Sequence, residues 1–194
     1  MSKTTIFTLA TVAAAGAIAL GGVVVAQGMH GNGMGQHGHG MGMGQHDEVN
    51  MPGLRGENAT PEESAELAVM FRNFGNITRE VENLPNGIRT VTRSSDPEVM
   101  DVLISHAAGM IDRVGQKDDP KIFIQSPTLD VFFLHGDEIR SEVEVTDDGL
   151  VVVQTSDNPE LVEALQVHAA EVTDMADRGM AAVHDMMMQQ GRGH

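Results

Sequence analysis

Residues 94–108 read SSDPEVMDVLISHAA, and residues 156–170 read SDNPELVEALQVHAA. The two strings lie 62 positions apart, and at that offset Phe71 to Ala108 aligns with Phe133 to Ala170 without a gap. Of the 38 aligned positions 14 are identical, among them Phe71/Phe133, Gly87/Gly149, Pro97/Pro159, Leu103/Leu165 and His106/His168. Composition alone would give roughly two or three. The chain therefore writes one unit twice. Two copies imply a pseudo-symmetric domain and not a solenoid, which needs at least three repeats.

Each copy has the same local pattern. A first helix begins at Pro61, with Thr60 as N-cap and Glu63 three residues on, a capping box. Its counterpart places Ser126 as cap and Pro127 at the first helical position. A hairpin follows, turning at Asn86-Gly87 or Asp148-Gly149, residue pairs suited to a type I′ turn. Ser95 or Asp157 is then expected to cap a second helix, with Pro97 or Pro159 near its first turn. Glu98 or Glu160 favours the positive end of that helix.

A single two-stranded sheet is marginal in water. Two helix–strand–strand–helix units are therefore expected to join their hairpins into one four-stranded antiparallel sheet covered by helices. The predicted fold class is α+β, one pseudo-two-fold domain over 59–183, with repeats at about 60–115 and 126–183. Two loosely tethered lobes are the alternative. The apolar patch Ile122-Phe123-Ile124 in the linker is expected to pack against the sheet edge.

Outside the repeats the composition changes. Residues 1–26 carry one charge, Lys3, then small and apolar residues ending Val24-Val25-Ala26 before Gln27. This reads as a secretory signal peptide. An uncleaved anchor is the competing reading, because the apolar run from Ile6 to Ala26 is nearly long enough to span a bilayer. The expected location is exported and periplasmic, with no stable membrane insertion once the leader is gone. The net charge is −16, and loss of Lys3 makes it one unit more negative. So acidic a chain repels phosphate backbones, which argues against nucleic acid as a partner, and attracts cations. There is no cysteine, which excludes disulfides, thiolate metal sites and cysteine catalysis together.

Residues 28–46 read GMHGNGMGQHGHGMGMGQH, within a segment 27–58 expected to be disordered. His30, His37, His39 and His46 alternate there with Met29, Met34, Met41 and Met43, spaced mostly by glycine. Thioethers favour Cu(I), and imidazoles suit Cu(II), Zn and Ni. The mixture without cysteine points to copper. A flexible spacer is the plainer reading. Residues 184–194, with His184, Met186, Met187, Met188 and His194, repeat the theme more faintly as an expected tail.

The strings LPNGIRTVTRSSDPEVMDVLISHAAGM and TSDNPELVEALQVHAAEV resemble a group of exported bacterial proteins with duplicated helix–hairpin–helix repeats of the form SD(D/N)P…HA. The resemblance covers about residues 66–184 and implies fold and export more than activity. The Gly/Met/His-rich tail is similar to those of periplasmic copper-binding proteins. In that group the first helices also carry a histidine. Here this is His135, and the matching position in the first copy is Asn73.

His106 and His168 lie on apolar helical stripes, the first with Val102, Leu103 and Met110, the second with Leu165, Val172 and Met175. Each is expected to point inward. One reading makes them core histidines bound to backbone carbonyls. The other makes His106, His135 and His168 a three-imidazole site for copper, zinc or, as a weaker alternative, haem iron, with Met110 as a soft fourth ligand. Gly-x-Ser-x-Gly, His-Glu-x-x-His and Gly-rich phosphate-loop motifs are absent, so no enzyme is expected. The leading expectation is a periplasmic protein that sequesters or delivers copper, with a metal-transport or metalloenzyme partner. The alternatives are an exported interaction or sensor module with structural histidines, and a haem or redox protein.

Overall fold

The computed structural model describes residues 5–7 and 51–191 of the chain. A three-residue strand, β1 (Thr5–Phe7), comes first. The first copy supplies α1 (Pro61–Arg72), β2 (Ile77–Leu84), β3 (Gly87–Ser94) and α2 (Pro97–Gln116). The second supplies α3 (Thr128–Leu134), β4 (Arg140–Thr146), β5 (Gly149–Thr155) and α4 (Pro159–Arg178), and α5 (Met180–Gly191) follows. The α+β class holds. The two hairpins merge into an antiparallel sheet in the order β4-β5-β3-β2, and β1 adds to the outer side of β4.

The duplication is visible in the strand register. At the β3–β5 seam Thr90 pairs with Val152, which is its own counterpart 62 residues later. The pseudo-two-fold axis therefore passes through this pair. The turn glycines obey the same symmetry. A Cβ at Gly87 would lie 1.9 Å from the Gln154 carbonyl oxygen, and one at Gly149 would lie 2.5 Å from that of Thr92. Gln154 and Thr92 are themselves counterparts. Each glycine lets the tip of one hairpin seat against the other hairpin's strand, and this explains its presence in both copies.

The turns differ from expectation in type. Leu84 pairs with Gly87 and Thr146 with Gly149, so the connecting residues are Pro85-Asn86 and Asp147-Asp148. None of these four has a positive φ, whereas a type I′ turn needs two. Proline at the first central position and glycine at the fourth are type I preferences, and Pro85 fixes the negative φ that excludes I′.

The helix starts are displaced by one residue from those expected. Asp96 caps α2, its Oδ1 accepting from Glu98 N at 2.9 Å, and Asn158 caps α4, accepting from Glu160 N at 3.0 Å. Ser94 and Ser156, two residues earlier, accept from the backbone N–H of each cap at 3.1 Å. The repeated letters Ser-x-Asp/Asn-Pro-Glu therefore encode a turn followed by a cap. Thr60 makes the expected capping box with Glu63. On α3 the helix starts at Thr128, and Ser126 Oγ accepts from Thr128 N at 3.2 Å.

Boundaries move too. Residues 51–58 belong to the ordered domain: Pro52–Leu54 form a 3-10 turn, Leu54 is buried, and Glu57 and Asn58 donate to the carbonyls of Lys121 and Pro120. The linker patch meets this segment, Gly56 bridging to Ile122, instead of the sheet edge. Phe123 is exposed. The expected C-terminal tail is helical through Gly191.

The two copies are packed differently. The buried core gathers on the second copy's helices, where Phe132, Leu161, Leu165 and Ala169 close on Ile88. Their counterparts Met70, Val99, Leu103 and Ala107 are half-buried except for Val99, and α1 buries no residue fully. Helix α4 lies closely along β2 and β3, whereas α2 touches the sheet sparsely. One half is filled, and the other is hollow.

Candidate functional site

The hollow is a cavity of about 330 Å³ between the sheet and the helices of both copies. Its floor is the alternate side chains of the central strands, including Arg79, Ile88, Thr90, Thr92, Leu150, Val152 and Gln154. Period two along each strand puts these residues on one face, leaving Glu80, Glu82, Arg89 and Arg93 on the other. The roof comes from the helices, with Leu67, Phe71, Leu103 and Met110 from the first copy and Val172 and Met175 from the second. His106 and His168 both line it.

Both histidines have a carboxylate beside them, and neither is tied to a backbone carbonyl. His106 Nδ1 lies 3.6 Å from Glu66 Oε2, and His168 Nδ1 lies 3.5 Å from Glu171 Oε2. These are ion-pair separations, too long for direct hydrogen bonds. The two carboxylates come from different places. Glu66 stands on α1, facing α2, and receives a hydrogen bond from Ser105 Oγ. Glu171 stands on α4 itself, one turn past His168, and accepts from Ser126 Oγ at 2.7 Å and Thr128 Oγ1 at 3.2 Å. At the 62-residue offset Thr128 is the counterpart of Glu66, and Glu171 that of Gly109. The carboxylate has changed helices between the copies, the facing position becoming small or polar as it did so. Each histidine retains its partner.

The imidazole of His106 holds the Glu66 carboxyl below its ordinary value of 4.5, with Ser105 adding to the effect and burial opposing it. Burial pushes Glu171 up, but the His168 ring and the Ser126 and Thr128 hydroxyls outweigh it and leave the carboxyl lowered. A carboxyl depressed by folding stabilises the native state above its unfolded value and loses that contribution as pH falls through the folded one. Stability should therefore hold above about pH 5 and decline below pH 4.5. In thermal melts taken from neutral to acid pH, Glu66→Gln should flatten this acid limb. An unchanged acid limb in that variant would show that the Glu66–His106 pair contributes nothing to it.

His135 is elsewhere. It is the C-cap of α3, its Nδ1 is 2.9 Å from Glu138 Oε1, and its side chain is 41% exposed. Its counterpart Asn73 is likewise the C-cap of α1, donating Nδ2 to Val69 O at 2.8 Å. The position is used to end a helix. No group of three or more His, Asp or Glu side chains able to hold a metal occurs among the described residues. The expected trio His106, His135 and His168 is thus not assembled. Met110 lines the cavity with His106. Met29, His30, Met34, His37, His39, Met41, Met43 and His46 lie outside the described residues. No helix among the described residues is long and apolar enough to cross a membrane.

Sequence reasoning missed Arg79. It sits in β2 with its side chain over the cavity floor, Nη1 donating to Thr92 Oγ1 at 3.1 Å and Nε without a partner. Burial lowers its pKa to about 10. Its counterpart Ser141 accepts from Gln154 Nε2 at 3.2 Å, so the same cross-strand pair is polar in both copies but charged in one. The signal lay in the alternation of Ile77-Thr-Arg79, which puts an arginine in step with an inward isoleucine.

No protein-family model, curated protein or solved structure matches the chain.

Proposed function

We propose that the protein is an exported, periplasmic copper-binding protein that sequesters the ion or hands it to a partner. Segment 28–46 takes the ion, and the duplicated domain carries the segment. The observation behind this reading is compositional: four histidines and four methionines in a glycine-spaced stretch of a chain without cysteine. Such a stretch wraps soft and borderline ligands round an ion without a preformed pocket. The domain is not needed as a second metal site, since His106 and His168 each face a carboxylate and His135 caps a helix.

Deleting residues 28–46 should remove most of the Cu(I) bound by the purified protein under a competing chelator, with circular dichroism unchanged. Substituting His106 and His168 together should leave the copper stoichiometry as it was. Unchanged stoichiometry after the deletion overturns the reading. A second reading, an exported binding module with structural histidines, is favoured by the His–Glu pairs and by the cavity they overlook.

A further inference from the structure

The cavity has features that copper chemistry does not use. Five buried side-chain polar atoms lack hydrogen-bond partners among the described residues. Three of them, His106 Nδ1, His168 Nδ1 and Glu171 Oε2, belong to the two His–Glu pairs, and the other two, Arg79 Nε and Gln125 Oε1, face no charged partner and belong to residues that line this space. Native interiors leave few such atoms, and an unpartnered donor and acceptor on the wall of one cavity point to something that enters it. Its size falls within the range of small-molecule sites, about 300–1,000 Å³.

Arg79 defines the polar end. The guanidinium is charged, it stands on a floor it shares with Thr90 and Thr92, and no ion pair joins it to a carboxylate among the described residues. The nearby acids are committed elsewhere. Glu63, which also lines the cavity, is bound to Arg113, while Glu66 and Glu171 face the two histidines. A half-buried cation whose Nε is out of water and that has no counter-ion is costly, and a ligand anion supplies one. The wall beneath the first copy's helices is mostly aliphatic, thioether and phenyl, with Leu54, Leu67, Met70, Phe71, Leu103 and Met110.

We propose that this cavity binds an aliphatic carboxylate, the head group on Arg79 and the chain beneath α1 and α2. A carboxylate matches one planar guanidinium with two parallel hydrogen bonds. A phosphate dianion would leave a second charge uncompensated in an apolar space inside a protein already at −16. The half-buried side chains of α1 and α2 are then the contact surface for the ligand's hydrocarbon. The inference is independent of copper, since it uses no residue of segment 28–46.

The test is calorimetric titration of the delipidated full chain with octanoate, laurate and palmitate, and with dodecanol and dodecyl phosphate beside laurate. We expect saturable one-to-one binding of at least one carboxylate. Arg79→Gln should weaken that carboxylate by roughly tenfold or more and leave dodecanol unchanged. Arg79→Lys should keep part of the affinity, and it tests the same point if the glutamine variant does not fold. Leu103→Trp should block carboxylate and alcohol alike by filling the chamber. The proposal fails if no carboxylate binds, if Arg79→Gln weakens laurate and dodecanol equally, or if dodecyl phosphate binds more tightly than laurate.

Discussion

Leu165→Ala should lower stability by about 3–4 kcal/mol, and Leu103→Ala, at the matching position of the other copy, by about 1 kcal/mol or less. Leu165 is fully buried and packs with Phe132, Leu161, Ala169 and Ile88. Its truncation removes apolar transfer energy and opens a void that close-packed neighbours cannot refill. Leu103 already borders a cavity and is only half-buried. Truncating it enlarges a space that exists, so fewer contacts are lost. Urea denaturation of both variants gives the comparison directly. Equal losses would mean that the first copy is as tightly packed as the second, and the asymmetry on which the cavity rests would be wrong.

Arg113→Ala should cost roughly 2–4 kcal/mol. This arginine, in the last turn of α2, grips Glu63 of α1 through Nε and, at 2.9 Å, through Nη2. Its Nη1 reaches Asp118 Oδ2 at 2.7 Å, and its Nη2 reaches Asn58 O at 3.0 Å. One side chain thus ties α1, α2, the segment before α1 and the linker. Arg113 is 13% and Glu63 17% exposed, so the pair is largely out of water. Removing the cation strands a carboxylate whose remaining hydrogen bond comes from the Thr60 backbone N–H. Arg113→Lys should recover only part of the loss, because an ammonium cannot make the two-pronged contact. Thermal melts at neutral pH would register either variant, and a loss below about 0.5 kcal/mol for alanine would place the network among ordinary surface pairs.

The fold was largely legible because its information is periodic and written twice. Turn glycines, Pro-Glu helix starts and alternating strands recur at one offset, and the seam at Thr90 and Val152 follows from that repetition. Local details at element ends were less legible. Ser95 and Asp157 look like caps as well as Asp96 and Asn158 do, and only the hydrogen bond to the N–H beyond the proline separates them. At His135 the letter alone does not separate a helix C-cap, which the structure shows, from a metal ligand. The cavity could not be read from the sequence. Leu103 and Leu165 are the same residue in the same pattern, and the difference between a lining and a core position arises from how far a helix stands off the sheet. Arg79 follows the same rule: its inward direction is periodic, but its lack of an acidic partner is a fact of three dimensions.

The migration of the carboxylate from α1 to α4 limits which parts of the two copies are interchangeable. Grafting the α1 sequence in place of α3 would bring a second glutamate, at the position of Thr128, against Glu171. Two carboxylates at one half-buried imidazole repel, and one of them would have to take a proton. The reciprocal graft would place a threonine opposite Gly109 and leave His106 with no acid at all. Each helix pair therefore works as a matched set, and an exchange that moves both helices of a copy together keeps one acid for each histidine.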